Sequence, residues 1–296
     1  MLRPAELALA VPLGLLLSCG TSAPREGLCD ALRSAIADHS GATIALACAE
    51  LNGGSACEID ATTVFHAAST MKLAVMIEAF RGADAGDFDL DAPLAVRNEF
   101  ASIVDGSAYS LEPGDDSDPG LFVSVGSAIP ARELIARMIR RSSNLATNLL
   151  IERLGPARVQ ATIEALGAVH GMKVLRGVED GVAFRAGLNN VVTAKDLLVL
   201  LRAIGTGAAA SPSSCRAMLE ILAGQEFRDM IPAGLPAGTV VAHKTGSITR
   251  VAHDAGIVDP FGVRPWVIVV LTRGFPDEAA AAEAGAELVR LVHAAR

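Results

Sequence analysis

Ser69 and Lys72 form the first pair of residues whose types and spacing can do chemistry. The run Ser69-Thr70-Met71-Lys72 lies where an apolar, strand-like segment ends and a helical pattern begins. Residues three apart share one face of a helix, so we expect the lysine to lie beside the serine. A desolvated lysine can accept a proton from a hydroxyl, which makes Ser69 a candidate nucleophile. Alone the motif is a weak signal, because a chain of this size holds on the order of one chance Ser-x-x-Lys match.

A second motif, Ser142-Ser143-Asn144, falls in the break between two predicted helices. A hydroxyl there can relay a proton, and an amide can hold a substrate carbonyl. The alternative is a plain interhelical turn with Asn144 as the helix N-cap, because Ser and Asn are common cap and turn residues. Taken by itself, this motif does not establish a site.

A third motif, Lys244-Thr245-Gly246-Ser247, lies at the end of a predicted strand. Lys244 and Thr245 can bind a carboxylate, and Gly246 lets a ligand approach the backbone closely. The backbone N–H of Ser247 can complete an oxyanion hole. The alternative is an ordinary strand end with a surface lysine. Lysine is scarce, however: only four of the 25 Lys and Arg residues are Lys, and two of those four fall in these motifs.

Taken together and in this order, the three motifs resemble those of the class A β-lactamases and related penicillin-binding serine hydrolases. The resemblance covers roughly residues 28–296. It implies that Ser69 attacks a carbonyl, that Lys72 and Ser142 move protons, and that the substrate is a β-lactam or a small peptidoglycan-type molecule. No cofactor and no metal is expected. The candidate substrate-binding residues are Asn144, Lys244, Thr245, Gly246 and Ser247.

The sequence departs from the family pattern in two places, and the second concerns deacylation. Ser143 stands where class A enzymes usually carry Asp. Those enzymes also carry Glu-x-x-Leu-Asn in a loop, and its Glu activates the water that releases the acyl group. Here the matching string is Arg185-Ala186-Gly187-Leu188-Asn189, and a guanidinium cannot accept a proton. Glu179 is the candidate replacement, with Asp180 beside it; the alternative is that these two carboxylates belong to a solvated turn.

Three functions stay open at this point. The first is a serine hydrolase that acts on β-lactams through an acyl-enzyme and is slow in deacylation. The second is a D-alanyl peptidase or esterase of the penicillin-binding type, which the missing loop Glu favours. The third is a non-catalytic penicillin-binding sensor, and the intact Ser69, Lys72 and Ser142 argue against it.

The elements that must position these residues follow from the apolar patterns. Strands are predicted at both ends of the chain, at residues 43–51, 56–65, 239–244, 251–258 and 265–272, with helices between them. We therefore predict an α+β fold: an antiparallel five-stranded sheet from both chain ends, flanking helices and an inserted all-helical domain. The predicted catalytic domain is 27–296, with a sheet subdomain at 27–86 and 235–296 and a helical subdomain at 87–234. The cleft between the two subdomains is the expected site.

The first 18 residues resemble a bacterial lipoprotein signal peptide. Residues 7–17 are apolar, which suits a signal sequence but is too short for a spanning helix of about 20 residues. Leu16-Leu17-Ser18-Cys19 resembles the cleavage box, with Cys19 as the lipidated residue; the alternative is an ordinary signal peptide cut nearby. We therefore expect an exported protein, periplasmic or lipid-anchored to a bacterial membrane.

The cysteines and the overall charge set further expectations. Cys48 and Cys57 flank Asn52-Gly53, a strong hairpin signal that places the two cysteines opposite each other. We predict a disulfide between them, with two free buried thiols as the alternative. The formal net charge of −8 argues against a nucleic-acid partner. We expect a monomer that touches membrane only through its lipid anchor.

Overall fold

The computed structural model describes residues 24–53 and 56–296. The predicted signal segment and Cys19 lie outside these residues. The helices are α1 (Pro24–Ala37), α2 (Lys72–Asp84), α3 (Ala131–Arg140), α4 (Asn144–Leu154), α5 (Pro156–Ala165), α6 (Gly181–Arg185), α7 (Ala194–Gly205), α8 (Pro212–Ala223) and α9 (Glu278–Ala294). The strands are β1 (Thr43–Glu50), β2 (Ala56–Ile59), β3 (Phe65–His66), β4 (Pro93–Ala95), β5 (Phe100–Ala101), β6 (Ala108–Tyr109), β7 (Ala128–Pro130), β8 (Val191–Val192), β9 (Val241–Ile248), β10 (Val251–Val258) and β11 (Trp266–Arg273).

A five-stranded sheet joins the two ends of the chain, in the order β2-β1-β11-β10-β9. Every neighbouring pair in it is antiparallel. β1 and β2 come from before the helical region, and the other three strands follow it. The predicted α+β fold with an antiparallel five-stranded sheet built from both chain ends is therefore confirmed.

Both faces of this sheet are buried, which accounts for the largely apolar sequences of β1 and β11. One face carries Ala45, Ala47 and Val269 and packs into the larger core with α2 and α7. The opposite face carries Leu46 and Val270 and packs against α1 and α9. None of the described helices combines the length and apolarity needed to cross a membrane.

Helix α2 is the centre of the helical part. The apolar spacing predicts one buried face on this helix, but the structure buries it on all sides. Its packing partners include α3, α4, α5 and α8. Even Lys72 at its start and Glu78 in its middle are buried. Burial on all sides explains how a lysine in the first turn comes to be removed from solvent.

Two strand predictions differ from the structure. The segment at 56–65 is not one strand, because the chain turns at Asp60, where φ is 48°, and pairing resumes only in β3. The strand predicted to end at Lys244 continues to Ile248 and pairs with β10 along its whole length. The Lys244-Thr245-Gly246-Ser247 motif therefore lies inside a paired strand and not at a strand end.

The predicted disulfide between Cys48 and Cys57 is wrong, although the predicted register is right. Cys48 does face Cys57 across the β1–β2 pair. Cys57 is bonded instead to Cys29 of α1, with Cα atoms 5.8 Å apart, and Cys48 is a buried free thiol. Both strand cysteines belong to the face that α1 covers. The hairpin pattern holds no information about this helix, because its packing on β2 is a tertiary contact.

Replacing Cys29 by Ser should lower the free energy of unfolding by about 3 kcal/mol, because the bridge restrains the unfolded chain across a separation of 28 residues. Urea unfolding followed by circular dichroism measures this. The matched control is Cys48→Ala, which keeps the bridge and should cost no more than about 1.5 kcal/mol. A bridge still present in the Cys29→Ser variant, seen by mass spectrometry without reductant, would contradict the assignment.

Candidate active site

Ser69 lies in a single 3-10 turn, Ala68–Met71, that leads directly into α2. Its side chain is half-buried and lines a cleft of about 1060 Å³. Two hydrogen bonds stabilise the turn, because the N–H and the hydroxyl of Thr70 both donate to the carbonyl of Ala67. Ala68, directly before Ser69, has φ of 45°, which is uncommon for a residue with a side chain. The nucleophile predicted from sequence is therefore at the wall of a cleft, on a strained turn.

Lys72 is the first residue of α2 and is fully buried. Its Nζ donates to the carbonyl of Ser142 at 2.7 Å and to Oδ1 of Asn144 at 2.8 Å, and it lies 3.3 Å from Oγ of Ser142. Burial lowers the pKa of Lys72 to about 7, while the carboxylates of Asp116 and Glu179 act to raise it. A substantial fraction of Lys72 is then neutral at physiological pH, as a proton acceptor must be.

The junction between α3 and α4 carries the second motif. Ser143 is the N-cap of α4, where its side chain accepts a hydrogen bond from the N–H of Ala146. Ser142 before it has φ of 60°, so its backbone is held in the left-handed region. Because Ser143 fills the cap, the amide of Asn144 is free to contact Lys72. Asp and Ser are both good N-caps, so a serine at this position is compatible with the start of a helix.

Lys244 approaches the same serine from β9. It is fully buried, and its Nζ donates to Oγ of Ser142 at 3.1 Å and to the carbonyl of Thr245 at 2.8 Å. Burial and, after it, the charge of Lys72 hold the pKa of Lys244 well below its usual value. The hydroxyl of Ser142 thus lies between two buried amines that cannot both be protonated without strong repulsion. This arrangement can pass a proton along.

Gly246 lets β9 lie directly against the nucleophile's turn. A Cβ on Gly246 would stand 2.8 Å from the backbone nitrogen of Ser69 and 2.9 Å from that of Thr70. Only glycine permits this approach. The neighbouring residues Thr245 and Ser247 line the same cleft as Ser69. Backbone N–H groups from a helix start and from an adjacent strand are suited to stabilise an oxyanion.

Glu179 also lines the cleft, on the segment that connects α5 to β8. The preceding residue, Val178, exchanges hydrogen bonds with the side-chain amide of Asn148 on α4, at 2.7 and 3.0 Å. A Cβ on Gly177 would lie 2.5 Å from Oδ1 of Asn148, so the segment packs closely on this amide. Glu179 itself is exposed, has φ of 62°, and makes no hydrogen bond to a residue that the structure describes.

Asp180, the other candidate carboxylate, is fully engaged in structure. It is buried and caps α6 through the N–H of Ala183, and it accepts hydrogen bonds from the N–H of Ile103 and the hydroxyl of Ser102. Burial acts to raise the pKa of Asp180, but these hydrogen bonds outweigh it and the net pKa is lowered. With its oxygens occupied, Asp180 is poorly placed to accept a proton from water, which leaves Glu179.

Arg185, in the place of the family's loop Glu, ends the short helix α6 and is exposed at the cleft. The Asn of the same string has a structural role, because Oδ1 of Asn189 accepts from the buried guanidinium of Arg176 at 3.0 Å. Arg176 also donates to the carbonyls of Gly177 and Leu188. This one side chain therefore holds both ends of the segment that carries Glu179.

Sequence reasoning missed three residues of the site: Asp116, Arg176 and His66. Asp116 is buried beside α4, where it accepts a hydrogen bond from the N–H of Leu145. It lay inside an acidic, Pro- and Gly-marked run that is typical of a loop, so nothing in the pattern separated it from solvated neighbours. His66 directly follows the predicted strand 56–65, and an imidazole three residues before a candidate nucleophile is the available signal.

The chain is similar to known proteins along most of its length. A model of the beta-lactamase enzyme family matches residues 28–295. The extended-spectrum beta-lactamase PER-1 of Pseudomonas aeruginosa is 26% identical over 230 residues, which are 71% of this chain and 68% of that protein.

Solved structures agree with this sequence match. PBP-A superposes with a TM-score of 0.76 at 26% identity, covering 91% of this chain and 95% of that chain. A variant of PBP-A, solved as an acyl-enzyme complex with penicillin G, superposes with a TM-score of 0.75 at 26% identity, covering 91% and 96%. A beta-lactamase from Sphaerobacter thermophilus superposes with a TM-score of 0.71 at 26% identity, covering 90% and 96%.

Proposed function

This chain belongs to the beta-lactamase enzyme family and is a serine hydrolase of that type. From this premise we propose that it opens β-lactams through an acyl-enzyme on Ser69 and releases the product slowly. The observation that carries the proposal is the position of the Ser142 hydroxyl, within 3.3 Å of Lys72 Nζ and 3.1 Å of Lys244 Nζ, in the cleft that Ser69 lines. These contacts support a role for Ser142 as a proton relay between the two amines and the cleft that holds the proposed nucleophile.

Acylation then needs only groups of this chain. Oγ of Ser69 attacks the lactam carbonyl and gives its proton to the neutral amine of Lys72. The charge on the carbonyl oxygen is stabilised by the backbone N–H groups of Ser69 and Ser247. As the ring C–N bond breaks, the hydroxyl of Ser142 gives a proton to the leaving nitrogen and takes one from a flanking ammonium group. Lys244 and Thr245 hold the substrate carboxylate.

Deacylation needs a base that directs water at the ester carbonyl, and such a base contributes roughly 10²–10⁴-fold in rate. Arg185 cannot supply it, since a guanidinium accepts no proton. Asp180 is occupied by three hydrogen bonds. Glu179 is the remaining carboxylate of this segment, and its exposed side chain makes no hydrogen bond to a described residue that would hold it over Ser69. We therefore propose that hydrolysis of the ester, and not its formation, limits turnover.

A second candidate function is a D-alanyl peptidase or esterase that β-lactams trap. The observation in favour of this function is that Arg185 takes the place of the loop Glu, so the base that deacylates β-lactam esters in the family is missing from its usual position. In this case an ester or D-alanyl peptide is turned over faster than a penicillin. Parallel assays with a thioester, a D-alanyl-D-alanine peptide and a chromogenic cephalosporin separate the two functions.

We also propose that the mature protein is exported and held at a bacterial membrane by lipid on Cys19. The support is the apolar segment 7–17 followed by Leu-Leu-Ser-Cys. The mass of the mature N-terminal peptide tests this, and an N-terminus other than a diacylated Cys19 would refute the lipid anchor.

The acyl-enzyme is tested by intact-mass measurement after mixing with penicillin G. Ser69→Ala should abolish the mass increase, because it removes the attacking oxygen. Lys72→Arg should be nearly as damaging, since arginine keeps the charge and cannot accept the proton. Circular dichroism shows whether each variant is folded. Labelling of a folded Ser69→Ala variant at the wild-type rate would refute the nucleophile.

If Glu179 is the deacylating base, Glu179→Gln should lengthen the lifetime of the acyl-enzyme without slowing its formation, because only deacylation needs this base. Time-resolved mass spectrometry measures both steps in one experiment. The charge-matched control is Glu278→Gln, which removes a carboxylate from another part of the same cleft. An unchanged lifetime in the Glu179→Gln variant would remove Glu179 from the mechanism.

A further inference from the structure

The imidazole of His66 contacts the backbone immediately before the nucleophile. Its Nδ1 accepts a hydrogen bond from the N–H of Ala68 at 3.0 Å. Ala68 is the residue with φ of 45°, a conformation that costs free energy in any residue with a Cβ and persists only when its surroundings hold it. The direction of Ser69 depends on this dihedral angle, since Ser69 is the next residue.

The backbone of His66 is itself fixed, so the imidazole is a firm support. Its carbonyl lies 3.0 Å from Nε2 of His253, and it pairs with Val191 of β8. The N–H of Ala67 donates to the carbonyl of Asn190 at 2.9 Å. Between these restraints and Ser69, the hydrogen bond to Nδ1 holds the N–H of Ala68, while Gly246 of β9 lies close to the Ala68 side chain.

We propose that His66 is a positioning residue for acylation, whose neutral imidazole keeps Ala68 in the left-handed conformation and so aims Ser69 at the substrate carbonyl. The inference rests on the proposed function, and it adds a residue and a pH dependence to it. Accepting at Nδ1 requires a neutral ring with its proton on Nε2. Protonation of His66 removes the acceptor and releases Ala68.

The groups around His66 determine when this happens. Burial, and after it the positive charge of Arg176, lower the pKa of His66 below its usual value. The neutral form, and the stability it gives, are therefore fully present above the usual histidine pKa and are lost as the pH falls through the lowered one. The titratable and charged groups on the segments around His66 include Lys72, Lys173, Arg176, Glu179, Asp180, His253 and Arg273.

Two substitutions separate positioning from simple packing. His66→Asn keeps an oxygen acceptor near the place of Nδ1 and does not titrate, whereas His66→Ala has no acceptor. We expect His66→Ala to be acylated by penicillin about tenfold more slowly than the wild type at neutral pH. This factor corresponds to the loss of one hydrogen bond that holds Ala68 in its unfavourable conformation. His66→Asn should stay close to the wild-type rate.

The pH profile of the acylation rate gives the sharper readout. In the wild type, the logarithm of the rate should fall with a slope of one below the pKa of Lys72, and a second break should mark a further drop of about tenfold as His66 becomes protonated. In His66→Asn the second break should be missing. A second break that persists in His66→Asn, or wild-type acylation by His66→Ala, would overturn the proposal. If the Ala variant does not fold, the profile of the Asn variant decides alone.

A separate measurement keeps this inference distinct from the proposed function. Nitrogen-15 NMR of the imidazoles, assigned by the loss of one signal in His66→Asn, should show a His66 protonated on Nε2 at neutral pH. A proton on Nδ1 would refute the contact, whatever the enzyme does. Absence of any acyl-enzyme in the wild type would instead refute the proposed function. The NMR assignment of the His66 tautomer would then be the test of the contact between His66 and Ala68.

Discussion

Two fully buried lysine amines flank one serine hydroxyl, and the rest of the site is arranged around this constraint. Nζ of Lys72 and Nζ of Lys244 both lie within hydrogen-bond distance of Oγ of Ser142. Repulsion between two ammonium groups grows as the surroundings become less polar, and burial also disfavours each charge. The pair therefore holds fewer than two protons at neutral pH. A neutral amine is the form of lysine that can accept a proton when a serine hydroxyl acts as a nucleophile.

The fold can be understood as the means of bringing these groups together. Lys72 and Ser142 are 70 residues apart in the chain, and Ser142 and Lys244 are 102 apart. A helix buried on all sides removes Lys72 from solvent, a capped junction holds Ser142 at a positive φ, and the edge strand β9 brings Lys244. Gly246 closes the arrangement, because any Cβ there would push β9 away from the turn of Ser69.

The three motifs and the fold were predictable from sequence because each depends on local signals: helix starts, a break between helices, and apolar strands. The tertiary contacts were not. The hairpin at Asn52-Gly53 predicts that Cys48 faces Cys57, but only the packing of α1 shows that Cys57 bonds to Cys29. Asp116 resembled any loop carboxylate until the structure placed it beside Lys72. The choice between Glu179 and Asp180 also depended on hydrogen bonds that no spacing reveals.

The most direct test of this account is the titration of the lysines themselves. The chain has four, at positions 72, 173, 195 and 244, so labelling lysine with carbon-13 at Cε gives a spectrum of four signals, each assigned by one Lys→Arg variant. The account predicts that Lys72 titrates near pH 7 and that Lys244 also titrates well below the usual lysine range. If both Lys72 and Lys244 stayed protonated up to about pH 10, like free lysine, no neutral amine would be present and the central claim would be wrong.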